Sequence, residues 1–156
     1  MRTIRGDERS LSVTLNYVLV LGITAILISG LVLAGGIFVE NQRNSAIRGE
    51  LTVIGTHMAS NVEQVDRYVE AGRDPSSAYV NQTFQRQVTG QNYIVQLDPN
   101  DGEPLPPQLV LSAAGTDVSV RVNVTVQTEV AETSAEGGTI SVSYEQSRDE
   151  VVIRNV

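Results

Sequence analysis

Cysteine, tryptophan and lysine are all missing from this chain of 156 residues. Without cysteine there is no disulfide scaffold, no thiolate metal site, no thiol nucleophile and no lipid-modified cysteine anchor. Histidine occurs once, at His57 beside Met58, and a lone imidazole with no carboxylate cluster around it is a poor ligand set. Basic residues are few. All 11 are arginine, against 18 Asp and Glu, for a net charge of -7. An acidic chain with no basic cluster is badly built to neutralise phosphates, so no nucleic-acid partner is expected. No G-x-S-x-G, Walker-type or G-x-G-x-x-G pattern occurs. The reading is therefore of a protein that is not an enzyme and takes no cofactor or metal.

What the chain does have is one long uncharged run. Leu11 to Val39 is 29 residues without a charge. About 20 apolar residues span a bilayer core, and this run as a helix would extend roughly 43 Å. A chain this small could not wrap such a helix on all sides, so a transmembrane helix is expected. Arg2, Arg5 and Arg9 precede the run, while Arg43 and Arg48 follow it. Arginine-rich flanks stay cytoplasmic, which favours an N-in, C-out orientation with Glu40–Val156 outside the cell. Arg5-Gly6-Asp7 spells a tripeptide read by integrins, but on the cytoplasmic side it has no such meaning.

Three fates of the run compete. It could be a secretory signal cut near Ala34-Gly35-Gly36, although it is far longer than the usual apolar core of a signal peptide. It could be an anchor that is never cut. Or it could follow a short leader cut before the apolar run, leaving the helix on the mature protein. The stretch Arg9-Ser10-Leu11-Ser12-Val13-Thr14-Leu15-Asn16-Tyr17-Val18-Leu19 resembles the opening of haloarchaeal type IV pilins and pilin-like proteins: a basic leader, a small residue at the cut, then a long apolar helix. The resemblance covers roughly residues 5–39. It implies cleavage by a prepilin peptidase either between Gly6 and Asp7 or between Ser10 and Leu11. It also implies a structural subunit, major, minor or pseudopilin, that packs against itself or other pilin-like subunits. The sequence departs from the pattern in having no proline after the serine of the opening and no glutamate five residues into the mature chain.

Beyond Val39 the apolar pattern narrows to one face. Ile47, Leu51, Ile54, Met58, Val62, Val65 and Val69 follow at intervals of three and four, the mark of an amphipathic helix. Glu63 and Arg67 stand four apart in the favourable order. Gly72 and then Asp74-Pro75 supply stop signals.

From Gln91 the period becomes two. Strands are expected at Tyr93–Leu97, Gln108–Ala114, Val118–Val126, Thr139–Tyr144 and Glu150–Ile153, with valine on every even position from 118 to 126. Turns fall at Asp98–Gly102, Glu136-Gly137-Gly138 and Ser147-Arg148-Asp149. The stretch from 72 to 90 reads as irregular. Short strands joined by short turns imply an antiparallel meander, covered by the stripe from Ile47 to Val69. The expected fold is α+β: a long N-terminal helix, transmembrane and then amphipathic, packed on a small antiparallel sheet as in a pilin. Four segments result: a cytoplasmic leader at 1–10, the membrane or filament-core helix at 11–39, its amphipathic continuation at 40–74, and an extracellular β-rich domain at 75–156.

A few polar groups remain. The loop from Asp98 to Glu103 has a calcium-loop flavour, but an EF-hand wants glycine sixth and glutamate twelfth, and here glycine is fifth and the twelfth residue is Leu109. It reads as a polar turn. Glu63, Asp66 and Glu70 share a helix face and read as a solvated acidic row. Asn81-Gln82-Thr83 and Asn123-Val124-Thr125 are N-glycosylation sequons in the segment placed outside the cell. Glu40–Val156 carries 16 acidic against 8 basic residues, a composition similar to haloarchaeal proteins, in which carboxylates keep the surface hydrated in concentrated salt. The alternative to a filament subunit is a single-pass anchored surface protein that binds a ligand or partner through its β domain.

Overall fold

The structure is a computed structural model that describes residues 7–72, 78–100 and 105–156, with side chains from residue 13 onward. It divides into two units, Met1–Gln42 and Arg43–Val156. The helix α1, Asp7–Glu70, contributes to both. Nine strands follow: β1 Tyr79–Thr83, β2 Gln87–Val88, β3 Gln91–Asp98, β4 Gln108–Ala113, β5 Ser119–Asn123, β6 Glu129–Val130, β7 Thr133–Glu136, β8 Thr139–Glu145 and β9 Glu150–Asn155. The fold is α+β, with the long helix packed on antiparallel sheets.

In the second unit the expected stripe is the buried one. Ile47, Leu51, Met58, Val62 and Val65 are fully buried and Ile54 nearly so, with Val69 partly buried beside them. Gly55 lies on the same face and lets the helix approach the sheet closely. A Cβ there would stand 2.8 Å from Val122 Cγ2 and 2.9 Å from Leu111 Cδ1. The helix ends as its sequence indicates. Ala71 N donates to Arg67 O at 3.1 Å and Gly72 N to Val69 O at 3.0 Å, with Gly72 at φ 64. This is a left-handed glycine closing the last turn. The Asp74-Pro75 signal lies outside the described residues.

The strands form two sheets rather than one meander. One has the order β1-β8-β9-β6; the other runs β2-β3-β4-β5, with β7 also paired to β3. Consecutive strands pair as a meander only in β2-β3-β4-β5 and in the β8-β9 hairpin. β6 pairs with β9 in parallel, the one departure from antiparallel pairing among the described strands. The two-residue link Gly137-Gly138 joins no hairpin. β7 pairs with β3 and β8 with β1, so at these glycines the chain crosses from one sheet to the other. The seam is stitched by side chains. Asn155 accepts from Glu136 N and donates to Glu136 O, both at 2.8 Å, and Thr133 Oγ1 accepts from Ile153 N at 3.1 Å. Asn155 thus supplies the donor and acceptor that a neighbouring backbone would otherwise provide.

The region read as irregular from 72 to 90 contains β1 and β2. β1 carries no apolar alternation because only Val80 is even partly buried in it; its position comes from pairing with β8. The strand expected to run to Val126 stops at Asn123, although the even valines do face inward, with Val118 and Val124 buried. Beyond Asn123 the chain leaves the sheet for the helix. Val124 N donates to Pro107 O at 2.8 Å, Thr125 N to Glu63 Oε1 at 3.4 Å, and Thr128 N to Asp66 Oδ1 at 2.8 Å. Tyr93, Val95, Leu97, Leu109, Leu111, Ile140, Val142, Val151 and Ile153 complete one core shared by both sheets and the helix.

Candidate functional site: an exposed apolar helix

Within the first unit the apolar side chains point outward on every side. Ile26, Leu27 and Ile28 are 73, 67 and 58% exposed, and Leu31, Val32 and Leu33 are 75, 68 and 70% exposed. Successive residues are turned by about 100°, so three consecutive exposed side chains cover the whole circumference. None of the most apolar window is buried, and the helix is long and apolar enough to cross a membrane. Each large apolar side chain gains about 1.5–3 kcal/mol on leaving water. Val13 to Val39 displays a long series of them, so covering the segment is worth on the order of tens of kcal/mol. Lipid or other helices can supply that cover.

Two hydroxyls in this segment are made compatible with it. Thr24 Oγ1 donates to Val20 O and Ser29 Oγ to Ala25 O, both at 2.8 Å. Hydroxyls that bond back to the preceding turn need no water, which is what an apolar surrounding demands. Ala25 and Ser29, and Gly30 and Ala34, are small pairs four apart that permit close helix approach.

Gly6 lies outside the described residues, Asp7 is the first residue of α1, and Ser10 and Leu11 lie within it. Asn81 and Asn123 are exposed, Asn81 in β1 and Asn123 at the end of β5. His57 is exposed on α1. Among the described residues no cluster of three histidine, aspartate or glutamate side chains is placed to hold an ion. The acidic loop is held by its own side chains. Asn100 N donates to Asp98 Oδ1 at 3.0 Å, and Gln108 Nε2 to Asn100 Oδ1 at 2.9 Å. Residues 101–104 lie outside the described segments.

The acidic row on the helix is not uniformly solvated. Glu70 is exposed, but Asp66 is only 4% exposed. Both Asp66 oxygens lie 3.2 Å from Gln127 N, and Oδ1 is 2.8 Å from Thr128 N. Glu63 turns to Thr125 N, not to Arg67. The helix carboxylates therefore receive the backbone of the strand that has just left the sheet. The helical periodicity separates them. At about 100° per residue Asp66 sits on the flank of the stripe, four residues after Val62, whereas Glu63 and Glu70 are turned farther away.

Tyr93 is a second polar group that sequence reading treated only as a strand residue. It is fully buried, and its hydroxyl donates to Gln85 O at 2.9 Å. Burial pushes its phenol up to about 12. The unfolded chain ionises this phenol near pH 10, while the folded chain keeps it neutral. Its contribution is thus intact below about pH 10 and is lost as pH rises from about 10 to 12, by on the order of 2 kcal/mol. Denaturant unfolding of the detergent-solubilised chain at pH 9, 10 and 11 should show this decline, and Tyr93→Phe should remove that part of the slope. An unchanged slope in Tyr93→Phe would assign the alkaline loss to other groups. On the other sheet, the hydrogen bond to Asp149 holds the Tyr144 phenol protonated above its ordinary range, aided by desolvation and the carboxylate charge.

By its sequence the chain belongs to a family of unknown function (DUF7266), whose profile spans residues 6–155. No curated protein and no solved structure matches it.

Proposed function

We propose that this protein is a type IV pilin-like structural subunit, major, minor or pseudopilin, of a cell-surface filament or related assembly. The observation that carries the reading is the change along α1: apolar on every side from Val13 to Val39, then a single buried stripe from Ile47 to Val65 under a β domain. A subunit that waits in the membrane and later packs among copies needs the first part, since helix neighbours can replace lipid around it without exposing it to water. The second part displays a folded domain. The chemistry is packing and not catalysis. The partners are the membrane, other pilin-like subunits or further copies of this chain, and a prepilin peptidase cutting at Gly6-Asp7 or Ser10-Leu11. The N-terminus lies in the cytoplasm and the β domain outside. The lysine-free, acidic composition of Glu40–Val156 supports a haloarchaeal setting.

The alternative is an uncut anchor that displays a partner-binding domain. One observation favours it: an open groove of about 450 Å³ in the β domain, lined by Arg86, Tyr93, Gly137, Thr139 and Asn155 among others.

The N-terminus of the membrane-bound protein, mapped by mass spectrometry with and without the host's prepilin peptidase, separates these readings. A peptidase-dependent start at Asp7 or Leu11 with the apolar helix retained is the expected result. An intact leader through Arg9 would leave the plain anchor. A start near Ile37 would remove both and make this a secreted domain.

A further inference from the structure

We propose that Asn81 and Asn123 carry N-linked glycans, and that the two glycans cap the two open edges of the β domain. The proposal rests on the reading that this domain lies outside the cell.

The chain has nine asparagines, and only two of them head a sequon. One falls in β1, an end strand of its sheet, and the other in β5, an end strand of the second sheet. Both are five-residue strands with one partner each among the described residues, β8 and β4 respectively. The other end strands, β6 of the first sheet and β2 of the second, are only two residues long. β7 is covered along its free side by the bonds to Ile153 and Asn155.

The register says which backbone groups are open. In an antiparallel pair, alternate residues exchange hydrogen bonds with the neighbour and those between turn their N–H and C=O the other way. Tyr144 N donates to Ala78 O and Phe84 N to Gly138 O. By this alternation Ala78, Val80, Gln82 and Phe84 bond to β8, while Tyr79, Asn81 and Thr83 present their backbone to the open side. Likewise Ala113 N donates to Val118 O and Val124 N to Pro107 O. Val118, Val120, Val122 and Val124 bond to β4, while Ser119, Arg121 and Asn123 face outward. Both sequon asparagines are therefore at positions whose own amide and carbonyl lie on an open edge, and both side chains are exposed.

Open edges are templates for pairing with another chain, and proteins blunt them with charge, bulges or bulky cover. β1 has no charge to do so; it reads Tyr-Val-Asn-Gln-Thr. β5 has a single charge, Arg121. A subunit crowded among copies at a membrane needs its edges closed while its helix stays free to pack. A hydrated glycan at Asn81, in the middle of β1, and one at Asn123, at the end of β5, would exclude an approaching strand.

The modification is a simple transfer. The Nδ2 of the asparagine attacks the anomeric carbon of a glycan held on a polyprenyl phosphate. The bond from that carbon to the phosphate oxygen breaks, the carbon–nitrogen bond forms, the nitrogen gives up one proton, and the lipid phosphate leaves. No oxidant or reductant is required.

The test uses the full chain from membranes of a cell with its own oligosaccharyltransferase. Glycopeptide mass spectrometry should find sugar on both asparagines. N81Q and N123Q should each remove one glycan, and T83A with T125A should remove both while leaving the asparagines in place. In detergent, N81Q combined with N123Q, and T83A combined with T125A, should each self-associate roughly tenfold more tightly than the unaltered chain in sedimentation, a gain of one decade in affinity. Hydrogen exchange should slow at the amides of Asn81, Thr83, Ser119, Arg121 and Asn123. Unmodified asparagines on a β domain that protease removes from intact cells would overturn the glycans and leave the outside location standing. Unmodified asparagines on a protected domain would overturn both. Glycans whose loss leaves association and edge exchange unchanged would overturn the capping role.

Discussion

Asp66→Ala is expected to lower the stability of the β domain by about 3 kcal/mol, because hydrogen bonds to a charged acceptor are worth roughly 1.5–3 kcal/mol each and two backbone donors lose theirs. The carboxylate is almost fully buried on α1 and receives Gln127 N and Thr128 N. The next residues are β6, which lies parallel against β9, so the loss extends beyond the two bonds. Val124 and Val130, buried on either side of this segment, depend on the same anchoring. Asp66→Asn keeps one acceptor oxygen and should cost about half as much. Denaturant titration of the detergent-solubilised chain measures both. A loss below about 0.5 kcal/mol in Asp66→Ala would mean that water replaces the carboxylate freely, as at an ordinary surface site.

Gly137→Ala should cost at least as much, about 3 kcal/mol, at the upper end of what overpacking a core produces. A Cβ at this position would stand 2.6 Å from Tyr93 Cε1 and 2.7 Å from Arg86 O. Neither neighbour can retreat easily. The tyrosine ring is fully buried and pinned through its hydroxyl to Gln85 O, and the arginine atom is backbone. Gly137 N also donates to Tyr93 O at 3.1 Å, so the glycine cannot shift without losing a bond. Gly138→Ala is the informative contrast. Its added Cβ meets nothing closer than Arg86 Cγ at 3.8 Å, but its φ of 132 is one that side-chain-bearing residues rarely adopt. It should cost about 1–3 kcal/mol through the backbone alone. Only the Gly137 change should couple to Tyr93 in a double-mutant cycle with Tyr93→Leu, by about 1 kcal/mol or more. Absence of coupling would show that the sheet crossing relaxes around the methyl group.

Glu136-Gly137-Gly138 was legible as a turn, since paired glycines punctuate strands. That the turn passes between sheets was not, because it depends on β7 choosing β3 and β8 choosing β1 as partners. β7 itself reads Thr-Ser-Ala-Glu and buries only Ala135. A strand held by its neighbour's backbone needs no apolar period of its own, so none is written into it. β1 escaped notice for the same reason. Asp66 looked like its neighbours Glu63 and Glu70, and only the arrival of Gln127 and Thr128 from 61 and 62 residues away distinguishes it.

Local hydrophobic spacing encodes the elements whose burial is periodic or unbroken: the uncharged helix through Val39, the stripe from Ile47 to Val65, the inward valines from 118 to 124, and the strands β3, β4, β8 and β9. In these, each side chain's surroundings follow from its own position along the element, so hydrophobic spacing encodes them locally. Long-range pairing sets the edge strands, the split into two sheets, the parallel pairing of β6 and the burial of Asp66. Each of these is a choice of backbone partner made between distant segments, and backbone amides and carbonyls are the same whatever residue carries them.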